Sequence, residues 1–199
     1  MNNLRLLKDN GLVKTIKFKD EKYIGDPINA VKIFNDLEAD ELIILDINAT
    51  NENRTLDSEL VNKIGDEAYM PFAVGGGINN IDNINNIIGA GAEKVVINSA
   101  LYDNPILIKE ASEKFGSQSI IVSIDVKIGI LGNKILFSNS GNKKQKIDLD
   151  QCLNNVQELG AGEIIINLIN NDGLMRGYNI DLIKYVSNAV NIPVVACGG

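Results

Sequence analysis

The sequence predicts an α/β protein built as a parallel (β/α)8 barrel, a TIM barrel, with an internal two-fold half-barrel repeat and truncated after its seventh strand. Three observations predict it. Near-continuous apolar runs such as Leu42-Ile43-Ile44-Leu45 and Ile164-Ile165-Ile166 suit strands covered on both faces, as parallel strands are. Such runs alternate with helical patterns along all 199 residues, the order of a wound sheet or a barrel. Two segments also recur at one spacing: Leu37-Glu38-Ala39-Asp40-Glu41-Leu42 echoes Leu159-Gly160-Ala161-Gly162-Glu163-Ile164, and Met70-Pro71 with Gly76-Gly77 echoes Ile192-Pro193 with Gly198-Gly199. Glu163 follows Glu41 by 122 residues and Pro193 follows Pro71 by the same 122, which argues for two similar halves and so for a barrel.

The elements follow in order. Strands are expected at residues 4–7, 41–46, 71–74, 94–97, 119–125, 163–168 and 193–196, and helices at 27–37, 57–65, 81–89, 105–115, 149–159 and 181–188. Pro27 and Pro105 stand where a first-turn proline belongs. Residues 8–26 are expected to form a long first loop with Lys14, Lys17, Lys19 and Lys22, either solvated lysines or a lid that brings positive charge over an anion. The lysine- and asparagine-rich stretch 129–146 reads as an exposed hairpin or insertion. One barrel domain is expected over residues 1–199, without the last strand and helix, which would add about 50 residues.

Composition removes several functions. The formal net charge of -7, with no basic tract, argues against nucleic acid and anionic membranes as partners. No apolar run approaches the roughly 18 residues that span a bilayer, and the first residues lack the apolar stretch of a signal peptide. Cys152 and Cys197 read as buried thiols of a reducing cytoplasm. The absence of histidine excludes Ser-His-Asp and Cys-His catalysis and histidine-bound zinc, and no metal site is expected.

Barrel ligands bind at the C-terminal strand ends. There Val74-Gly75-Gly76-Gly77-Ile78 precedes a helix, and Gly198-Gly199 follows the seventh strand, each able to present backbone N–H groups to a phosphate. Asn98-Ser99 and Asp172-Gly173 close the fourth and sixth strands, so two glycine clusters suggest a ligand with a phosphate at each end. Asp46 and Asp125 end the second and fifth strands as candidates for catalysis or binding, with loop capping as the plain alternative. At the opposite rim Glu41, Lys94 and Glu163 begin alternate strands and could form a charged ring, or only surface ion pairs.

This set resembles the cyclase subunit of imidazole glycerol phosphate synthase, a barrel of histidine biosynthesis, over essentially the whole chain. Further marks are Gly25-Asp26-Pro27, Leu45-Asp46-Ile47, Ile97-Asn98-Ser99-Ala100, Phe115-Gly116-Ser117-Gln118 and Ile124-Asp125. The resemblance implies a lyase without cofactor, acting on a bisphosphate aminoimidazole ribulotide, with a glutaminase subunit docked at the barrel floor as a heterodimer and supplying ammonia through the barrel. It makes Gly77, Asn98, Ser99, Asp172, Gly173 and Gly199 phosphate-binding, Lys14 substrate-binding, Glu41, Lys94 and Glu163 the ammonia gate, and Asp125 one of two acid–base aspartates. The other aspartate position holds Leu6, which can neither give nor take a proton. In this the segment 4–15 resembles a divergent branch associated with surface polysaccharides, in which ammonia passes to a separate enzyme that amidates a sugar.

Overall fold

Among the described residues, five of the seven α-helices start on a side chain that accepts a backbone N–H of the first turn: Asp26, Asp57, Asn80, Asp148 and Asn179. These caps place the helices α1 (Pro27–Asp36), α2 (Ser58–Glu67), α3 (Ile81–Gly89), α6 (Leu149–Glu158) and α7 (Ile180–Ala189), with α4 (Ala100–Asp103) and α5 (Ile106–Phe115) between. Each long helix buries one stripe, such as Val31 and Phe34 on α1 or Cys152, Leu153 and Val156 on α6. The computed structural model describes residues 2–199, and of Asn2 and Asn3 the backbone alone.

The strands are β1 (Asn2–Lys8), β2 (Gly11–Ile16), β3 (Lys19–Gly25), β4 (Glu41–Asp46), β5 (Phe72–Gly75), β6 (Lys94–Ile97), β7 (Ile120–Ile128), β8 (Lys134–Ser138), β9 (Lys143–Lys144), β10 (Glu163–Leu168) and β11 (Val194–Cys197). Cα packing divides the chain into two compact units, the first running to Lys14 and resuming over Glu21–Val96, the second made of Thr15–Asp20 and Ile97–Gly199.

In the first unit β1 pairs parallel with β4, β4 with β5, and β5 with β6, with α1, α2 and α3 in the connections. Leu42, Ile43 and Ile44 are at most 1% exposed. Burial of such a side chain stabilises by roughly 1.5–3 kcal/mol. In the second unit β7 pairs parallel with β10, and β10 with β11. The alternation of parallel strand and helix is that of an α/β protein, as expected, and the seven parallel strands lie within two residues of their expected bounds or extend them.

One expectation is corrected. Residues 8–26 are not a loop: β1 turns back into β2 in antiparallel register, Lys8 opposite Gly11, through Asp9 and Asn10 at φ 50° and 59°. Two consecutive left-handed residues make the turn whose twist suits a hairpin, and Asp and Asn tolerate it. Lys17 and Phe18, at φ 52° and 62°, repeat the device and lead into β3. The stretch 129–146 forms a hairpin, as expected: β8 pairs antiparallel with β7, Ile130 and Leu131 at its tip face solvent, and Leu136 and Ser138 are buried.

Candidate functional site

The second unit gathers amides around one carboxylate. Asp125 on β7 is 6% exposed and lies in register with Asn167 of β10. Asn98, the residue after β6, donates from Nδ2 to the Ser123 carbonyl at 2.9 Å and to Asp125 Oδ2 at 3.1 Å. Asn167 donates from Nδ2 to Asp125 Oδ1 at 3.3 Å. Each carboxylate oxygen thus has one neutral donor and no cation in these contacts. Burial pushes the Asp125 carboxyl up to about 7, the amides of Asn167 and Asn98 draw it down, and the Asp172 charge adds to the rise. A carboxyl poised near neutrality can take a proton and return it. Cys197 at the end of β11 is a free thiol pushed up to about 12, first by burial and then by the charges of Asp125 and Asp172, so it stays protonated.

Around this centre, Ser99 opens α4, its hydroxyl accepting the Asn139 N–H at 3.2 Å. Gly173 follows β10 at φ 70°, and a Cβ there would lie 1.9 Å from the Thr15 carbonyl oxygen. Gly198 follows β11 at φ 77°, where a Cβ would lie 2.5 Å from the Leu168 carbonyl oxygen. Gly199 lies against the Tyr178 ring. Both turns therefore need glycine, since each has a left-handed φ and packs against a main-chain carbonyl where a Cβ would stand. The Asp172 carboxylate itself is occupied, accepting from the Thr15 hydroxyl and the Phe18 N–H.

In the first unit Asp46 ends β4 and is spent on its own loop: Oδ1 accepts from Asn48 N–H at 3.0 Å and Ala49 N–H at 3.1 Å, and Oδ2 pairs with Arg54. This is the capping role. The Gly76-Gly77 turn packs on that loop, with Gly77 N–H donating to Thr50 Oγ1 at 3.3 Å. A Cβ on Gly77 would stand 1.7 Å from the Arg54 carbonyl oxygen, at φ 69°. Gly77→Ala should therefore destabilise by about 2–4 kcal/mol, read as a lower urea midpoint.

Lys14 lies half-buried on β2 rather than in a loop. Leu6 on β1 lies in register with Leu45 of β4 and Val13 of β2, an apolar row where a proton carrier is expected. At the start of alternate strands Glu41 and Lys94 meet, Nζ to Oε1 at 2.7 Å, with Glu41 only 7% exposed. The carboxylate of this pair is buried, while the Lys94 side chain keeps 26% of its surface exposed. Glu163, 8% exposed, opens β10 in the second unit. The residue that sequence reasoning missed is Asn167, whose one signal was an amide inside the apolar run of β10. No helix among the described residues is long and apolar enough to cross a membrane.

A family model described as histidine biosynthesis protein matches residues 6–199. A Vibrio vulnificus protein named as an imidazole glycerol phosphate synthase subunit is 45% identical over 195 residues, 98% of this chain and 75% of the relative. One from Pseudomonas aeruginosa, similarly named, is 44% identical over 98% of this chain and 77% of its own length. An imidazole glycerol phosphate synthase subunit of Petrotoga mobilis is 39% identical over 97% of this chain and 77% of the relative.

Proposed function

The chain belongs to the histidine biosynthesis protein family, among its imidazole glycerol phosphate synthase subunits, and we propose that it is a cyclase-type subunit. In this reading it uses ammonia released by a glutaminase partner on a bisphosphate aminoimidazole ribulotide, and C–N cleavage with ring closure gives imidazole glycerol phosphate and an aminoimidazole carboxamide ribotide.

The observation that carries the reading is Asp125. It is a buried carboxyl near neutrality, held by two amides within β7, with the glycine turns at Gly173 and Gly198 in the same unit. Asp125 is the proton carrier. The turns at Gly173, Gly198 and Gly199 hold one phosphate through main-chain N–H groups, and Gly77 with its flanking helix serves the other. Asn98 and Ser99 complete the polar lining, and Lys14 adds positive charge for the substrate. Glu41 and Lys94, paired at strand starts of the first unit, and Glu163, at a strand start of the second, are the ammonia-gate residues of this reading. Two unpaired cysteines accord with work in the cytoplasm.

Leu6 supports a second reading. With no acid or base on β1, the subunit would conduct ammonia from its glutaminase to a separate enzyme that amidates a surface-polysaccharide sugar, and would not cyclise. One assay separates the two. The protein is given ammonium chloride and the bisphosphate substrate, and both products are followed by chromatography. Slow, ammonium-dependent formation of the two products in equal amounts is the expected result. No product at any ammonium concentration, with the partner glutaminase present, would leave the channel reading in its place.

A further inference from the structure

Three hydrogen bonds converge on one residue of the turn after β10. The Thr15 hydroxyl donates to Asp172 Oδ2 at 2.9 Å, and the Phe18 N–H donates to the same oxygen at 3.2 Å. The Lys17 N–H donates to the Asp172 carbonyl at 3.0 Å. Thr15 is only 4% exposed, so its bond is shielded from water. The neighbouring Gly173 presses its main chain on the Thr15 carbonyl, with no room for a Cβ. On the other side the Phe18 ring lies 3.0 Å from where a side chain on Gly141 would begin, beside Ile169. These contacts explain why residues 15–20 pack with the second unit while most of β2 and β3 packs with the first.

The tip needs such support. Lys17 and Phe18 are consecutive non-glycine residues in the left-handed region, a conformation their side chains disfavour and that persists where surroundings over-determine it. A carboxylate is also a poor phosphate ligand, since two anions repel, and Oδ2 already serves two donors.

We propose that Asp172 is a latch: its carboxylate fixes the tip of the β2–β3 hairpin on the turn that carries Gly173, so that tip and turn order together. The inference rests on the reading of that turn as a phosphate site and deepens it. Asp172 is a positioning residue that ties a lid to the site, and the main chain of the turn is what meets the anion.

The test is amide hydrogen exchange of the whole protein without ligand, resolved by NMR, in the parent and in Asp172→Ala, Asp172→Asn and Thr15→Val. In Asp172→Ala, exchange at Lys17 and Phe18 should quicken by about tenfold or more. Asp172→Asn keeps an acceptor oxygen and should stay within about threefold of the parent. If Asp172→Ala does not fold, Thr15→Val decides, with exchange at Phe18 expected to rise about threefold. Unchanged exchange at Lys17 and Phe18 in the variant that decides overturns the latch. A titration with inorganic phosphate, followed at the Gly173 amide, supplies the second readout. Asp172→Asn should bind phosphate at least as tightly as the parent, because a negative charge has been removed. Loss of phosphate binding in that variant would make the carboxylate a ligand and sink the proposal. Absence of phosphate binding in the parent would instead count against the phosphate site, while the exchange data, which need no ligand, still decide the latch.

Discussion

Asp125→Asn is expected to lower ammonium-dependent turnover by about 10²–10⁴, the worth of a positioned acid–base group, and to remove a pH dependence from the protein's stability. The two effects have one cause. Burial holds the folded-state pKa near 7, above the roughly 3.9 of an unfolded aspartate. A carboxyl raised in this way contributes stability that is fully present below the unfolded value and is lost as pH climbs through the folded one, because the unfolded chain gives up its proton first. Between pH 5 and pH 8 the parent should lose on the order of 2 kcal/mol that the variant does not lose. Urea unfolding of both proteins at the two pH values measures it. The comparison between pH values matters, because an asparagine at 125 also meets the amides of Asn98 and Asn167 as donors and must leave one poorly matched at every pH. Equal pH dependence in parent and variant would mean that Asp125 is ionised throughout, and would withdraw the proton carrier from the proposed function.

The parts of this picture that were legible in the sequence are those set by local chemistry. Runs such as Leu42 to Leu45 and Ile164 to Ile166 announce strands covered on both faces, and Pro27 announces the start of α1. Asp125 could be singled out because it closes an apolar strand run in the sequence, although β7 continues past it to Ile128. What could not be read depends on partners far along the chain. The Asp9-Asn10 turn carries a recognisable preference for left-handed conformations, but Lys17-Phe18 carries none, and its support comes from Asp172, 154 positions beyond Phe18. Asn167 gains its role only from the strand register that sets it beside Asp125. The sequence alone offered both Asp46 and Asp125 as strand-end carboxylates, with function favoured more for Asp125 than for Asp46. Arg54 and two backbone N–H groups make the first a loop cap, and burial among amides makes the second a titratable group.

Leu6→Asp should raise cyclisation, by about 10²–10⁴ if the missing group is what slows the reaction. The position can accept the change. Leu6 is half-buried, unlike its neighbour Leu7, which is fully buried, so a carboxylate at 6 keeps part of its hydration. Its backbone is held in register by β2 on one side and β4 on the other, so the new side chain starts from a fixed strand position. The expected cost in stability is about 1–2 kcal/mol, visible as a small fall in the urea midpoint, from a lost apolar side chain and a partly desolvated charge. Combining it with Asp125→Asn tests whether the two groups act as a pair: a gain that survives in the double variant would mean that position 6 works alone. A folded Leu6→Asp protein no faster than its parent would show that more than one proton carrier separates this chain from a working cyclase, and the ammonia-conducting reading would then be the better account of the retained Glu41–Lys94 pair.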